Sequence, residues 1–139
     1  MRIEFGCEAT KKKIIKEYPH TAQVLSEGGN LIIAIDDSNQ VLGFLWSFRR
    51  EVPAPISGKL EDFINVIEIF GDNQRKGIGS ALVQKCIEKS TVDGIYQVRA
   101  YCETNNVASH HLWVKNKFGI SPVKMHDGNI YGSFVTFVI

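Results

Sequence analysis

The stretch that decides the fold is Ile67-Glu68-Ile69-Phe70-Gly71-Asp72-Asn73-Gln74-Arg75-Lys76-Gly77-Ile78-Gly79-Ser80-Ala81-Leu82. Its pattern predicts an apolar strand, a polar turn, and two glycines at the start of an amphipathic helix. The first turn of a helix has unpaired backbone N–H groups and a partial positive charge, and glycines let an anion approach them closely. The turn is therefore a candidate phosphate site, with an ordinary strand-to-helix connection as the alternative.

The composition is that of an ordinary globular chain of 139 residues with a formal net charge of +1. Hydrophobic residues make up 44% and charged residues 22%, so we expect one domain, residues 1–139, with a sizeable core. The small net charge gives no electrostatic argument for a nucleic-acid partner. No apolar run approaches the roughly 20 residues of a membrane span, and no secretory signal is recognisable. Three cysteines without paired spacing predict reduced thiols and a cytoplasmic location.

The hydrophobic pattern predicts the element order β-α-α-β-β-β-α-β-α-β-β, a mixed α/β sheet with helices on both faces. Strands are expected at 2–5, 31–35, 41–48, 63–70, 95–102, 123–126 and 130–138. Helices are expected at 8–18, 21–27 and 78–89, and from a cap at Asn105 or Asn106 to about Lys117. The charged, proline-containing segment 49–59 predicts an exposed loop. The helix 78–89 joins two strands, which implies that they pair in parallel.

Two motifs in this sequence resemble those of the GNAT superfamily of acyl-CoA-dependent N-acyltransferases. Residues 74–79, Gln-Arg-Lys-Gly-Ile-Gly, match its Q/R-x-x-G-x-G/A signature, and residues 106–118 are similar to its N-x-x-A/S-x-x-L-Y-x-K-x-x-F helix. The motifs occur in the family's order on the expected elements. The resemblance implies a mostly antiparallel sheet splayed around a parallel βαβ core. It also implies acetyl transfer from acetyl-CoA to a primary amine of a small molecule or protein, by direct attack on the thioester.

The resemblance further implies which residues bind acetyl-CoA. Backbone N–H groups from Gln74 to Ser80 would hold the pyrophosphate, assisted by Arg75 and Lys76. The main chain of two strand residues would pair with pantetheine like an added strand, and a backbone N–H in the splayed gap would polarise the thioester carbonyl. The cofactor-binding residues expected on this basis are Ile69, Phe70, Gln74, Arg75, Lys76, Gly77, Ile78, Gly79, Ser80, Asn106, Ser109 and Trp113.

Acyl transfer to an amine makes two unequal proton demands. Deprotonating an alkyl amine at pH 7 costs roughly 4.6 kcal/mol, whereas a thiol leaves as thiolate for only about 2 kcal/mol, so a base is worth more than an acid. Many family members carry a tyrosine acid where this chain has Trp113, whose indole cannot serve at physiological pH. Three outcomes stay open: the thiolate leaves unassisted or through water, Tyr101 or Tyr131 acts instead, or acyl transfer is lost.

The general base that we predict is Glu68, because it interrupts an apolar strand directly before the segment expected to hold pantetheine. An ionised carboxylate in such a run needs a partner or a function, and the alternative is a structural ion pair or a face open to water. Tyr101, on the strand across the gap, is the second candidate catalytic residue, with core packing as its alternative. Glu103 is a weaker candidate base at the end of the same strand.

No residues in this sequence have metal-ligand spacing, and we expect no metal site. His110 and His111 lie about 100° apart on a helix and cannot bind one metal together. His20 and His126 are interpreted as surface residues. The aromatic residues Trp46 and Phe48, with the loop 51–57, could shape an acceptor pocket, although core packing explains the aromatics equally well.

Two other functions stay open at this point. A non-catalytic acyl-CoA binding or sensing domain would account for Trp113. A dinucleotide-binding domain of Rossmann type would use the same turn, but Leu82 replaces its third glycine and that fingerprint normally follows the first strand of its unit. The acceptor amine has no recognisable motif, and the sequence is compatible with a homodimer formed through the last strands.

Overall fold

The computed structural model describes residues 1–25 and 28–139, which form a seven-stranded sheet and its helices. The strands are Arg2–Phe5 (β1), Asn30–Ile35 (β2), Val41–Glu51 (β3), Leu60–Ile69 (β4), Gln97–Glu103 (β5), Gly119–Lys124 (β6) and Ile130–Val138 (β7). The α-helices are Glu8–Glu17 (α1), Ile78–Val92 (α2) and Val107–Lys115 (α3), and short 3-10 helices lie at Pro19–Gln23 and Gly71–Asn73.

The strand order across the sheet is β1-β2-β3-β4-β5-β7-β6. Neighbours pair antiparallel except β4 and β5, which are parallel and joined by the crossover helix α2. This confirms the predicted mixed, mostly antiparallel sheet around a parallel βαβ unit. It excludes the Rossmann alternative, because that fold is built on a mostly parallel sheet.

Each face of the sheet has its own apolar core. Helices α2 and α3 cover one face, which we call the α2 face, and the predicted inward residues of α2 are all buried there: Ile78, Leu82, Val83, Cys86 and Ile87. Helix α1 covers β2 and β3 on the other face, the α1 face, where Ile14 lies in one cluster with Phe44 and Trp46. Burying an aliphatic or aromatic side chain of this size is worth about 1.5–3 kcal/mol, so both faces fix the helices in place.

Strands β3 and β4 are longer than the sequence predicts. Each extends three residues into the segment 48–63, so the predicted loop 49–59 shortens to residues 52–59. The reason is electrostatic, because Arg49 pairs with Asp62 and Arg50 with Glu61 across the ladder, with Nε to carboxylate distances of 2.9 and 2.8 Å. Charges that indicate a loop when read alone are neutralised by their cross-strand partners.

Other boundaries also differ from the prediction: α2 ends at Val92 and not at Lys89, and β5 is Gln97–Glu103 where the sequence predicts 95–102. The second short helix is the 3-10 helix Pro19–Gln23; the predicted helix reached residues 26 and 27, which lie outside the described residues. Strand β6 begins four residues earlier than expected and includes Pro122, which lacks an N–H. The strand tolerates this proline because it lies at the edge of the sheet and pairs with β7 only. No described helix is long and apolar enough to cross a membrane.

Candidate active site

Strands β4 and β5 pair only over the first part of β4. Their register begins with Glu61 opposite Gln97 and ends with Ile64 opposite Ala100. Beyond that point β4 continues past a bulge at Asn65 and pairs on one side only, with β3. Within residues 1–25 and 28–139, the edge of β4 that faces β5 therefore has no strand partner over residues 65–69, and backbone groups on such an edge can hydrogen-bond a ligand.

A cavity of about 1050 Å³ occupies this gap and reaches the start of α2. Its walls are the unpaired edge of β4, the first turns of α3 and the end of β5. It is lined by Ile67 and Ile69, which pack with the α2-face core, and by Val66, which packs with the α1-face core. Side chains from both faces of the sheet therefore line the cavity.

The start of α2 forms a backbone anion site at one end of this cavity. Gly77 caps the helix with a φ of +78°, and no side chain of the described residues caps the N–H groups of the first turn. Glycine adopts this φ without steric cost. Arg75 lines the same end of the cavity and also has a positive φ, +65°. Free N–H groups, the positive helix end and a guanidinium together suit a diphosphate.

All of the predicted cofactor-binding residues line the cavity except Phe70 and Lys76. Lys76 is exposed on the turn. The backbone N–H of Phe70 donates to the carbonyl of Leu42 at 2.8 Å, and its buried ring stacks on Tyr18 with 3.7 Å between centroids. The expected pairing of Phe70 with pantetheine does not fit this geometry, because its N–H is already used by β3.

Hydrogen bonds and ring packing hold the wall formed by α3. Asn106 caps the helix, and its Oδ1 accepts a hydrogen bond from the backbone N–H of Ser109 at 3.0 Å. Trp113 is buried, packs against Phe118 and donates its indole Nε1–H to the hydroxyl of Ser109 at 2.9 Å. The polar atom of Trp113 is thus used within its own helix, and the ring shapes the wall.

Glu68 lies on the α1 face of β4, opposite Phe44 on β3. Its Oε1 is 2.6 Å from Nε2 of His20, which the 3-10 helix Pro19–Gln23 carries, and the Glu68 side chain is 30% exposed. His20 is exposed, which confirms the prediction of a surface residue, but sequence reasoning missed this pair. The two residues are 48 positions apart, and no local pattern links them.

Of the two phenols considered as acids, only Tyr101 lines the cavity in the described part of the chain. It packs edge-on against Phe134 and lies over Gly132, where a Cβ would clash with the phenol oxygen. Tyr131 instead donates to Asp127 in the β6–β7 turn, and this hydrogen bond holds the pKa of Asp127 below its ordinary value.

Within residues 1–25 and 28–139, no three His, Cys, Asp or Glu residues are grouped so that they could hold a metal ion. Cys7, Cys86 and Cys102 are free thiols, and none of them is among the described residues that line the cavity. Burial raises the pKa of Cys86 to about 12, so it stays a neutral thiol. The described side chains that line the cavity include the phenol of Tyr101 and the imidazole of His111 but no carboxylate, and Glu68 and His20 lie outside this lining.

Comparisons with known proteins agree with this geometry. The family model described as acetyltransferase (GNAT) family matches residues 4–119. Mycothiol acetyltransferase from Renibacterium salmoninarum is 26% identical over 87 residues, which are 63% of this chain and 25% of that protein. The matched part of the chain thus spans about a quarter of the length of this curated relative.

Solved structures share the fold. A Bacillus subtilis acetyltransferase in complex with CoA has a TM-score of 0.70 at 17% identity, covering 99% of this chain and 98% of that one. The putative acetyltransferase yncA from Salmonella typhimurium, with its cofactor acetyl-CoA, has a TM-score of 0.70 at 16% identity, covering 99% and 92%. At these identities the likeness shows a common architecture and no more.

Proposed function

Because this chain belongs to the GNAT family of acetyltransferases, we propose that it transfers the acetyl group of acetyl-CoA to a primary amine of a small molecule or protein by direct attack on the thioester. One observation carries the proposal: a single cavity runs from the backbone anion site of α2 along the unpaired edge of β4, and side chains from both faces of the sheet line it. A long acyl carrier with a diphosphate at one end matches that path.

The residues present fit acetyl-CoA. The N–H groups of Gly79 and Ser80, with the guanidinium of Arg75, would hold its diphosphate. The unpaired edge at Ile67 and Ile69 would hydrogen-bond the pantetheine arm, and an N–H of that edge would polarise the thioester carbonyl. When bound, acetyl-CoA supplies the activated acetyl group.

Glu68 is the proposed general base. It stands on the α1 face of the strand whose edge would hold the thioester, and removing a proton from the amine is the larger of the two demands. His20 would orient the carboxylate through the 2.6 Å contact. Tyr101 is the proposed donor to the departing sulfur, with a smaller contribution because a thiolate leaves at a cost of only about 2 kcal/mol.

Acyl-CoA binding without catalysis is the second candidate function. One observation favours it: the residue at the usual acid position, Trp113, is buried and its only polar hydrogen is bonded to Ser109. Such a domain would use the same anion site and the same unpaired strand edge, but it would not need Glu68.

Thiol release from acetyl-CoA over a panel of primary amines separates these functions. We expect turnover by the wild-type protein and a loss of about 100-fold or more in kcat/KM for Glu68→Gln, with coenzyme A affinity unchanged. His20→Gln should lose less, because the carboxylate remains. Glu103→Gln is the matched control, a carboxylate at the exposed end of β5, and should retain activity.

The possible failures of this experiment have different meanings. Coenzyme A binding without turnover on any amine would overturn the transferase proposal in favour of the binding domain. Thermal stabilisation by neither coenzyme A nor acetyl-CoA would overturn both. Equal turnover by Glu68→Gln and the wild-type protein would remove Glu68 as the base and leave acetyl transfer standing.

A further inference from the structure

The α1 face of the sheet is only partly covered by helices. Helix α1 and the 3-10 helix Pro19–Gln23 pack over β2, β3 and the upper end of β4. Toward β5 and β7 the same face carries side chains that stay partly or fully exposed in the described residues, and we call this surface the open face. It comprises Phe48, Arg50, Phe63, Arg99, Tyr101 and Phe134.

The open face is built on a fully buried carboxylate. Glu61 has no exposed surface, and Arg99 binds it with two nitrogens, Nε to Oε1 and Nη2 to Oε2, both at 2.9 Å. Gln97 adds a third hydrogen bond at 2.7 Å. Arg99 alone therefore neutralises Glu61 with the two-pronged geometry that guanidinium favours. A second arginine at this carboxylate is surplus to charge neutralisation.

That second arginine is Arg50, and only part of its hydrogen-bonding capacity is used. Its Nε donates to Glu61 at 2.8 Å, and its guanidinium carbon lies 4.0 Å from the centre of the Phe63 ring. Neither terminal nitrogen has a hydrogen-bond partner in the described part of the chain, and the side chain is 40% exposed. The guanidinium is thus held in one orientation with unused donors facing solvent, which lowers the entropy lost when an anion binds.

A continuous row of groups connects the cavity with Arg50. Tyr101, which lines the cavity, packs on Phe134 with 5.5 Å between centroids. The guanidinium of Arg99 lies 4.5 Å from the Phe134 ring and 5.7 Å from the Phe63 ring. The guanidinium of Arg50 lies over the same Phe63 ring. An acceptor that reaches the gap from the α1 face would therefore lie along aromatic rings that end at the partly exposed guanidinium of Arg50.

We propose that the open face selects an acidic peptide as the acceptor, with its reacting amine at Glu68 and a carboxylate farther along the peptide on Arg50. This inference rests on the proposed acetyl transfer. Phe63 and Glu68 lie five residues apart on β4 with one bulge between them, so roughly 13–16 Å separates them at about 3.3 Å per residue. An extended peptide spans that distance in four or five residues, whereas a small amine does not.

The test uses two synthetic peptides of about eight residues with free N-termini. They differ only at positions four to six, which are glutamate in one and glutamine in the other. For wild-type protein loaded with acetyl-CoA we expect kcat/KM about tenfold higher for the acidic peptide, mainly through a lower KM, because one charge-assisted contact is added. Fluorescence anisotropy of the labelled peptides, measured with coenzyme A in place of acetyl-CoA, gives the same preference as a difference in binding without turnover.

Arg50→Gln should abolish the preference in both measurements, and Arg50→Lys should retain part of it, because the charge stays but the planar fork is lost. Added salt should weaken the preference in the wild-type protein. Arg2→Gln is the matched control, an exposed arginine on β1 at the far edge of the sheet, and should retain the full preference. Arg50→Met, which keeps an unbranched side chain over Phe63, serves if Arg50→Gln does not fold.

Equal rates and equal binding for the two peptides in the wild-type protein would overturn the proposal. So would a preference that survives in Arg50→Gln or Arg50→Met. If small amines are acetylated and neither peptide is bound, the peptide proposal fails while acetyl transfer stands. If no amine is acetylated but the acidic peptide binds in an Arg50-dependent way, the surface assignment stands and the transferase proposal fails.

Discussion

The lower half of β4, residues 60–64, has strand partners on both sides, whereas the upper half, residues 65–69, has a partner on one side only. The lower half contains two buried carboxylates, Glu61 and Asp62, and both are fully engaged with arginines and neighbouring polar groups. The upper half contains Glu68, which is partly exposed and lies on the α1 face. One strand thus separates the charges that hold the sheet together from the charge proposed for chemistry.

The two halves show that polar groups with a hydrogen-bond partner and polar groups without one contribute to different properties of the protein. A backbone edge without a partner lowers stability, but it can hydrogen-bond an extended ligand. A buried carboxylate with every lone pair engaged stabilises the fold only as long as all its partners remain. Substitutions in the two halves should therefore have opposite signatures, and the following experiments test that separation.

The largest expected effect on stability is at Glu61. Glu61→Gln leaves Arg50 and Arg99 without their shared buried anion, and breaking a buried ion pair typically costs about 3–5 kcal/mol. Urea unfolding should show that loss, while coenzyme A affinity of the folded fraction is retained. Glu68→Gln, the matched substitution in the upper half, should change the unfolding free energy by less than about 1 kcal/mol. Equal losses for the two variants would break the comparison.

Lowering the pH should remove part of the stability that Glu61 contributes. Burial alone would raise the pKa of Glu61, but the hydrogen bonds from Arg99, Arg50 and Gln97 outweigh it and hold the pKa below its ordinary value. A carboxyl group with a depressed folded pKa stabilises the protein above its unfolded pKa, and this contribution is lost as pH falls through the folded pKa.

The measurement is urea unfolding of wild type and Glu61→Gln from about pH 7 to pH 3. We expect the gap in unfolding free energy between the two proteins to be widest near neutrality. It should shrink below about pH 4.5, because Glu61 then takes up a proton on unfolding. A gap that stays constant over the whole range would show that the pKa of Glu61 is the same in the folded and the unfolded protein, and therefore that folding does not lower it.

The smallest effect is expected at the α3 wall, across the gap from the upper half. Trp113→Phe removes one hydrogen bond to Ser109 and should cost about 1 kcal/mol of stability. Acetyl transfer should change by less than about threefold, because the thiolate leaves without needing an acid at this position. Steady-state kinetics with one accepted amine checks this, and Trp113→Tyr is the companion variant. A large gain for Trp113→Tyr would show that the missing phenol limits the rate.

Much of the fold was predictable because periodic burial leaves a strong local signal. Helix α2 shows this best, since its five predicted inward residues are all buried and its start follows Gly77 as expected. The two motifs also predicted most of the cavity lining, because the spacing within each motif places its residues on one turn and on one helix, and both border the cavity. Cytoplasmic location, the absence of a nucleic-acid partner and a homodimer stay predictions.

The errors arose where residues distant in the chain meet. Arg49 and Arg50 indicate a loop until Asp62 and Glu61 are placed opposite them, and then the same charges extend two strands. Phe70 lies in the predicted strand segment, but its N–H donates to the carbonyl of Leu42 on β3 and is not available to a ligand in the gap. No periodicity or motif can predict such pairings, because they depend on the register between strands.

The sequence by itself determined the order of the elements, the glycine-capped start of α2 and the family, because these depend on local periodicity and on short motifs with fixed spacing. Only the tertiary structure decided that β4 and β5 part after Ile64 and that His20 meets Glu68. It also decided that the terminal nitrogens of Arg50, beside the buried Glu61, have no hydrogen-bond partner among the described residues. These features are set by which backbone edges and charges remain unsatisfied after packing, and that is a property of the whole sheet.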